Sequence, residues 1–200
     1  MAYIGKSVIG VEHPATSALN ATTGTFSGIV KTDAIQTNAG KPIVNSTGSV
    51  LQVVSTAKTD SFSTTSTMAD VTGLSVAITP SSSSNKILIL VQIGVVGEDS
   101  GVGVRLLRGS TNILIGDTAS SRSLHSTTSM FMPASSPHQY NVSNAPIMFL
   151  DSPNTTSATT YKVQAGVLSN VVYVNRTIYD VDNGNASRST STITAMEIAG

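Results

Sequence analysis

Asp180-Val181-Asp182-Asn183-Gly184-Asn185 alternates side-chain oxygens in the way that opens a calcium-binding loop. Calcium takes six to eight oxygen ligands, and such a loop places Gly sixth and a bidentate Glu twelfth. Here Gly comes one place early and the twelfth position is Ser191. The segment therefore reads as a polar turn between strands. Glu98-Asp99 is an adjacent acidic pair. Glycoside hydrolysis needs two carboxyls facing each other across a bond, whereas neighbours on a turn point apart, so this pair reads as a solvated tip. His13, His125 and His138 lack the close pairing of a metal site. No metal and no cofactor are expected. There is no Cys, which removes disulfides, zinc thiolates and thiol nucleophiles together. Nucleophile-elbow, phosphate-loop and dinucleotide fingerprints are missing, and Ser is too abundant for a catalytic triad to be read from types alone.

A different chemistry is offered by Ala119 to Asn144, the least regular stretch of the chain. It holds Arg122, His125, Phe131, His138 and Tyr140. Loops on a rigid scaffold carry binding residues. Arg122, His125, His138 and Tyr140 suit a sugar, which is held by stacking and hydrogen bonds. The competing reading is packing between subunits, with Met130-Phe131-Met132 filling a seam. Asn-x-Ser/Thr triplets at Asn20, Asn45, Asn141, Asn154, Asn175 and Asn185 read as chance products of a Ser/Thr-rich composition.

The elements that must position these residues are strands. Val50 to Val54 is rich in β-branched residues. Val71 to Thr79 alternates around Val71, Leu74, Val76 and Ile78, and Pro80 with Ser81-Ser82-Ser83-Ser84-Asn85 makes a loop. Lys86 to Val96 is a continuous apolar run, read as a strand buried on both faces. Val102 to Leu107 and Asn112 to Ile115 flank Arg108-Gly109-Ser110-Thr111, a hairpin signal. Pro146 to Leu150, Thr160 to Ala165, Val171 to Arg176 and Thr192 to Ile198 complete the set. The last is expected to close a sheet through Ile193, Ala195 and Ile198. Short strands at this spacing predict an all-β fold, an antiparallel β-sandwich or jelly-roll-like head over residues 49–200. Residues 1–48 lack any such pattern and read as an extended N-terminal attachment or shaft segment that needs a partner or further copies to bury its apolar positions.

Charge narrows the function. Lys and Arg number 11, Asp and Glu number 11, and only 11% of the 200 residues are charged. A nucleic-acid binder needs a basic stripe to displace counterions, and these cations are scattered. Lys86 to Val96 is too short to span a bilayer, so no membrane insertion is expected. Met1-Ala2-Tyr3-Ile4-Gly5-Lys6 does not resemble a secretory signal.

Four stretches of the head carry a family resemblance. One is Thr56-Ala57-Lys58-Thr59-Asp60-Ser61-Phe62-Ser63-Thr64-Thr65-Ser66-Thr67 with its continuation from Asp70 to Pro80. The second is Arg105-Leu106-Leu107-Arg108-Gly109-Ser110. The third runs from Phe149-Leu150-Asp151-Ser152-Pro153-Asn154 to Tyr161-Lys162-Val163. The fourth pairs Tyr173-Val174-Asn175-Arg176 with Ser191-Thr192-Ile193-Thr194-Ala195-Met196-Glu197-Ile198. Together they resemble the tail-fibre-like domains of tailed bacteriophages of the marine and cyanobacterial type. That resemblance implies a virion location, a homotrimer and no catalysis. It predicts docking to tail or capsid proteins through residues 1–48 and outward display of the head toward a host cell-surface polysaccharide. A head fibre or capsid decoration protein is the nearest alternative, and a glycan depolymerase a more distant one.

Overall fold

The computed structural model describes residues 47–98, 101–129, 131–132 and 137–200, with backbone alone at 131, 132, 137 and 138. The front segment, His13, Asp99, Met130 and the side chains of Phe131, Met132 and His138 lie outside the described residues. Everything below concerns the unit that runs to Gly200 from Asn45.

This unit is all-β. Its strands are β1 (Val50–Lys58), β2 (Phe62–Thr64), β3 (Ala69–Ile78), β4 (Lys86–Glu98), β5 (Val102–Arg108), β6 (Thr111–Ile113), β7 (Thr127–Ser129), β8 (Phe131–Met132), β9 (Ser143–Asp151), β10 (Thr159–Gly166), β11 (Val172–Val174) and β12 (Ser191–Ile198). Among the described residues a 3-10 turn, Pro137–Tyr140, precedes β9. The first sheet has the order β1-β12-β4-β11-β2, with β9 and β8 on the other edge of β4. The second has the order β3-β10-β5-β6, with β7 also on β5. All pairs are antiparallel except β4 with β8. The inner faces of both sheets merge in one core, so the architecture is a sandwich.

Strand β4 organises the first sheet. Ile87, Ile89, Val91, Ile93 and Val95 alternate inward and are essentially fully buried. At ~1.5–3 kcal/mol per side chain, this row contributes on the order of 10 kcal/mol before chain entropy is subtracted. The expectation that β4 is buried on both faces holds only for its second half. Gly94 and Val96 are covered on the outer side, but Leu88 and Leu90 are half-exposed.

The second sheet follows the predicted alternation with one shift. Val71 faces the core, and so do Leu74, Val76 and Ile78. The odd step between Val71 and Leu74 coincides with a register shift against β10 and with Gly73 at φ +82°, a conformation that glycine adopts without strain. Strands β5 and β6 form the expected hairpin, with Gly109 at φ +59° in its turn. The stretch from Ala119 to Asn144, expected as loop, contributes β7 and β8. Their brevity hides them from periodicity, as it hides β2.

Three buried polar links fasten the sandwich. Strand β12 lies between β1 and β4, inside the sheet rather than at its rim. Its inward positions are Ile193, Ala195 and Glu197, so the expectation for Ile198 is corrected: that residue faces outward. The Glu197 carboxylate accepts hydrogen bonds from Gln52 Nε2 (2.6 Å), the Ser81 amide (2.6 Å), Ser81 Oγ (2.8 Å) and Asn85 Nδ2 (2.6 Å). It thereby pins the serine loop to the end of the chain. Asp151, at the end of β9, accepts from Arg108 Nη1 at 2.8 and 2.9 Å and from the Tyr161 hydroxyl at 2.6 Å. This joins the two sheets. Burial and Asp151 together push the Tyr161 hydroxyl far above its usual pKa, so it stays a donor. Asn175, at φ +61°, donates through Nδ2 to the carbonyls of Lys58 and Asp60 and accepts from Ser191 Oγ at 2.6 Å.

Burial pushes the Glu197 carboxyl up, but the bonds from Asn85, Gln52 and Ser81 outweigh it and hold the group below its ordinary value of 4.5. A depressed folded pKa gives stability that is complete above the unfolded value and is lost as pH falls through the folded one. Thermal unfolding should show a fall in Tm below about pH 4.5 that Glu197→Gln flattens. At pH 7 that variant should lose about 2–4 kcal/mol, because Gln cannot accept four bonds as an anion does. An unchanged Tm at pH 7 would remove Glu197 from the links that hold the fold.

Candidate functional site

Of the four residues expected to bind a receptor, the side chain of His138 lies outside the described residues, and the other three fall into two groups. The segment after β6 crosses the outer face of the second sheet. Ser126 N donates to the Val104 carbonyl at 2.8 Å, and Ser126 Oγ accepts from Leu106 N at 2.9 Å. This anchoring lays His125 flat over Gly103, where a Cβ would overlap the imidazole ring. Arg105 Nε donates to the Leu124 carbonyl at 2.8 Å. A hollow of about 480 Å³ opens here, lined among others by Arg105, Ser123, His125 and Thr128. A neighbouring hollow of about 420 Å³ is lined by Asn112, Arg122 and again Arg105. Arg122 and His125 are therefore brought to a common neighbour, Arg105, which spacing alone did not single out. The strand alternation was the available signal: Val104 and Leu106 face the core, so Arg105 must face out.

Burial lowers the His125 pKa from 6.5, and the charge of Arg105 adds to the effect. The ring is neutral at pH 7, and its buried Nδ1 has no hydrogen-bond partner. The lining thus combines a guanidinium, a neutral imidazole and hydroxyls. These are donors and acceptors for a hydroxyl-rich ligand. No carboxylate is among the described residues that line either hollow.

Tyr140 belongs to a second group. It ends the 3-10 turn and meets Tyr179 edge to face, with ring centroids 5.9 Å apart. Tyr179 N donates to the Gln139 carbonyl. Nearby in sequence, Arg176 stacks on the Tyr173 ring at 4.1 Å and pairs with Asp180 at 2.7 Å, and Arg188 reaches the same carboxylate at 2.7 Å. Asp180 therefore already serves two guanidiniums, which fits the polar-turn reading of 180–185. Among the described residues no cluster of three or more His, Cys, Asp or Glu could hold a metal ion, and no helix is long and apolar enough to cross a membrane. Glu98 accepts a long hydrogen bond of 3.4 Å from the Tyr173 hydroxyl. The triplet at Asn175 is buried in the polar link described above.

Gly103→Ala should lift His125 off the sheet. NMR titration should then move its pKa back toward 6.5, with about 1–3 kcal/mol of stability lost to overpacking. An unmoved titration would mean that the sheet does not seat the ring.

No protein-family model matches the chain, and no curated protein matches it. Among solved structures, a chain of the tripod from the baseplate of bacteriophage Tuc2009 is similar over 97% of this chain and 86% of that one, at 13% identity and a TM-score of 0.23. A score that low establishes neither a shared fold nor a shared function.

Proposed function

We propose that this chain is a structural subunit of a bacteriophage particle: a short, homotrimeric fibre that docks through residues 1–48 to tail or capsid proteins. Its sandwich head is displayed outward and contacts host polysaccharide. It does no catalysis. The observation that carries this reading is where the four family-like stretches fall. They contain Lys58 and Asp60, Arg105 and Arg108, Asp151 and Tyr161, Asn175, Ser191 and Glu197. The backbone carbonyls of Lys58 and Asp60 and the side chains of Arg108, Asp151, Tyr161, Asn175, Ser191 and Glu197, with their partners, make up the buried links between strands, and Arg105 alone of the set lines the hollows. The resemblance thus rests on residues that hold a scaffold, not on residues that gather in a reactive cleft. A scaffold reused under different surfaces is what a virion appendage needs.

The receptor reading draws on Arg122 and His125 beside Arg105, and on Tyr140 against Tyr179. Weak sites of this kind gain affinity when an oligomer presents several at once. The alternative, a head fibre or capsid decoration protein, keeps the same scaffold and self-association and changes the docking partner alone.

Antibody raised against residues 49–200 and imaged on intact particles should label the tail. Label on the capsid would select the decoration reading, and particles free of label would reject both. Tyr140→Ala with His138→Ala should reduce host adsorption about tenfold or more while leaving the oligomer intact. Dissociation of the oligomer instead would assign those residues to subunit packing.

A further inference from the structure

The two outer faces of the sandwich are unlike. On the second sheet Asp70 pairs with Lys162 at 2.6 Å and takes a bond from Gln164, with Ser75, Ala77 and Thr160 around them. That face is dressed for water. On the first sheet the outward rows are apolar. Val53, Met196, Leu88 and Leu150 lie side by side across β1, β12, β4 and β9. The next row is Ser55, Thr194, Leu90 and Met148, and the one after is Ala57, Thr192, Gln92 and Pro146. Val50 and Ile198 extend the patch at one end. Val50 is 55% exposed, Val53 53%, Met148 73% and Leu150 46%.

Four strands about 4.8 Å apart and eight residues long cover on the order of 500 Å² in projection. Ser55, Thr192, Thr194 and Gln92 lie within that area, so its apolar part is smaller and falls in the range of the largest patch on a monomer, one that is often functional. That projection, which already includes the Ser, Thr and Gln positions, is somewhat over half of the roughly 800 Å² that each partner gives to a specific interface.

We propose that this face of the first sheet is where copies of the chain pack against one another. Charge favours a like partner. Lys86, at the rim, is the one charged residue among these outward positions, and the nearby carboxylate, Glu197, is turned inward and satisfied. Two such faces can meet without burying an ion, which is the costly event at an interface. The shape favours it too. Met148 projects beside a recess of about 650 Å³ that is lined by Leu90, Gln92, Pro146, Thr192 and Thr194. The face carries a projection and a hollow of its own, so that Met148 of one copy can enter the hollow of the next, as a closed ring of copies requires. The apolar positions run across the Val53-to-Leu150 row and down β9 to Met148 and Pro146, with Ser55, Thr192, Thr194 and Gln92 filling the adjoining corner. This assignment stands as an alternative to the Met130-Phe131-Met132 seam, which lies outside the described side chains. It rests on the proposed self-association, but not on the virion location.

The test is the solution mass of the full chain by sedimentation equilibrium, for the wild type and two double variants. Met148→Lys with Leu150→Lys charges the apolar face at two exposed positions. Ser75→Lys with Ala77→Lys does the same on the polar face as a control. The wild type and the control should be oligomers of equal mass. The first variant should be monomeric and still folded, with the wild-type circular dichroism spectrum and a cooperative melt, its association weakened about 100-fold or more. A first variant that keeps the wild-type mass would overturn the surface and leave the homotrimer standing. A monomeric wild type would overturn both.

Discussion

The structure depends on a constraint set by β4. Thirteen residues of one strand are paired along both edges, with β12 and β11 on one side and β9 and β8 on the other. A strand held that way must satisfy two faces at once. Its inward row of Ile and Val makes the centre of the core. Its outward row begins with Leu88 and Leu90, which the described residues leave half-covered. The fold is thus closed inside and unfinished outside, and the unfinished part is a face rather than an edge. Pro146 on β9 fits this, because an edge strand tolerates a residue that cannot donate.

Buried polar links do the work that hydrophobic burial cannot, which is to choose one arrangement among many. A Ser/Thr-rich chain with few aromatic residues has little bulk with which to specify its packing. Glu197, Asp151 and Asn175 each collect three or more bonds from segments distant in sequence. Every one would be costly to bury unpaired, so each accepts a single geometry of its surroundings. They stand at the sheet margins, where the serine loop, the β5–β6 hairpin and the segment after β11 meet the core.

Much of the fold was legible in the sequence. Alternation located Val71 to Ile78 and β12, and turn chemistry located the β5–β6 hairpin. What escaped was governed by distant partners. Strands β2, β7 and β8 are two or three residues long and exist because a neighbour offers an edge. Glu197 drew no reading of its own beside an Ile198 expected to face inward, because nothing local announces that Ser81, Asn85 and Gln52 will converge on it. The site was read less well. Arg122 and His125 do share a neighbour, but Tyr140 stacks on a ring 39 positions away (179 − 140) that the chain order does not bring to mind. Loop residues are placed by what they land on, and Gly103 beneath His125 had no signature beyond being glycine.

On the proposed packing, the apolar outer face of the first sheet is completed by other copies of the chain. An experimentally determined structure of the assembled oligomer tests it most directly. It should show Val53, Leu88, Met148 and Leu150 of each copy buried against a neighbour, with Asp70 and Lys162 still in water. An oligomer whose copies meet elsewhere and leave Met148 and Leu150 in solvent would contradict the account.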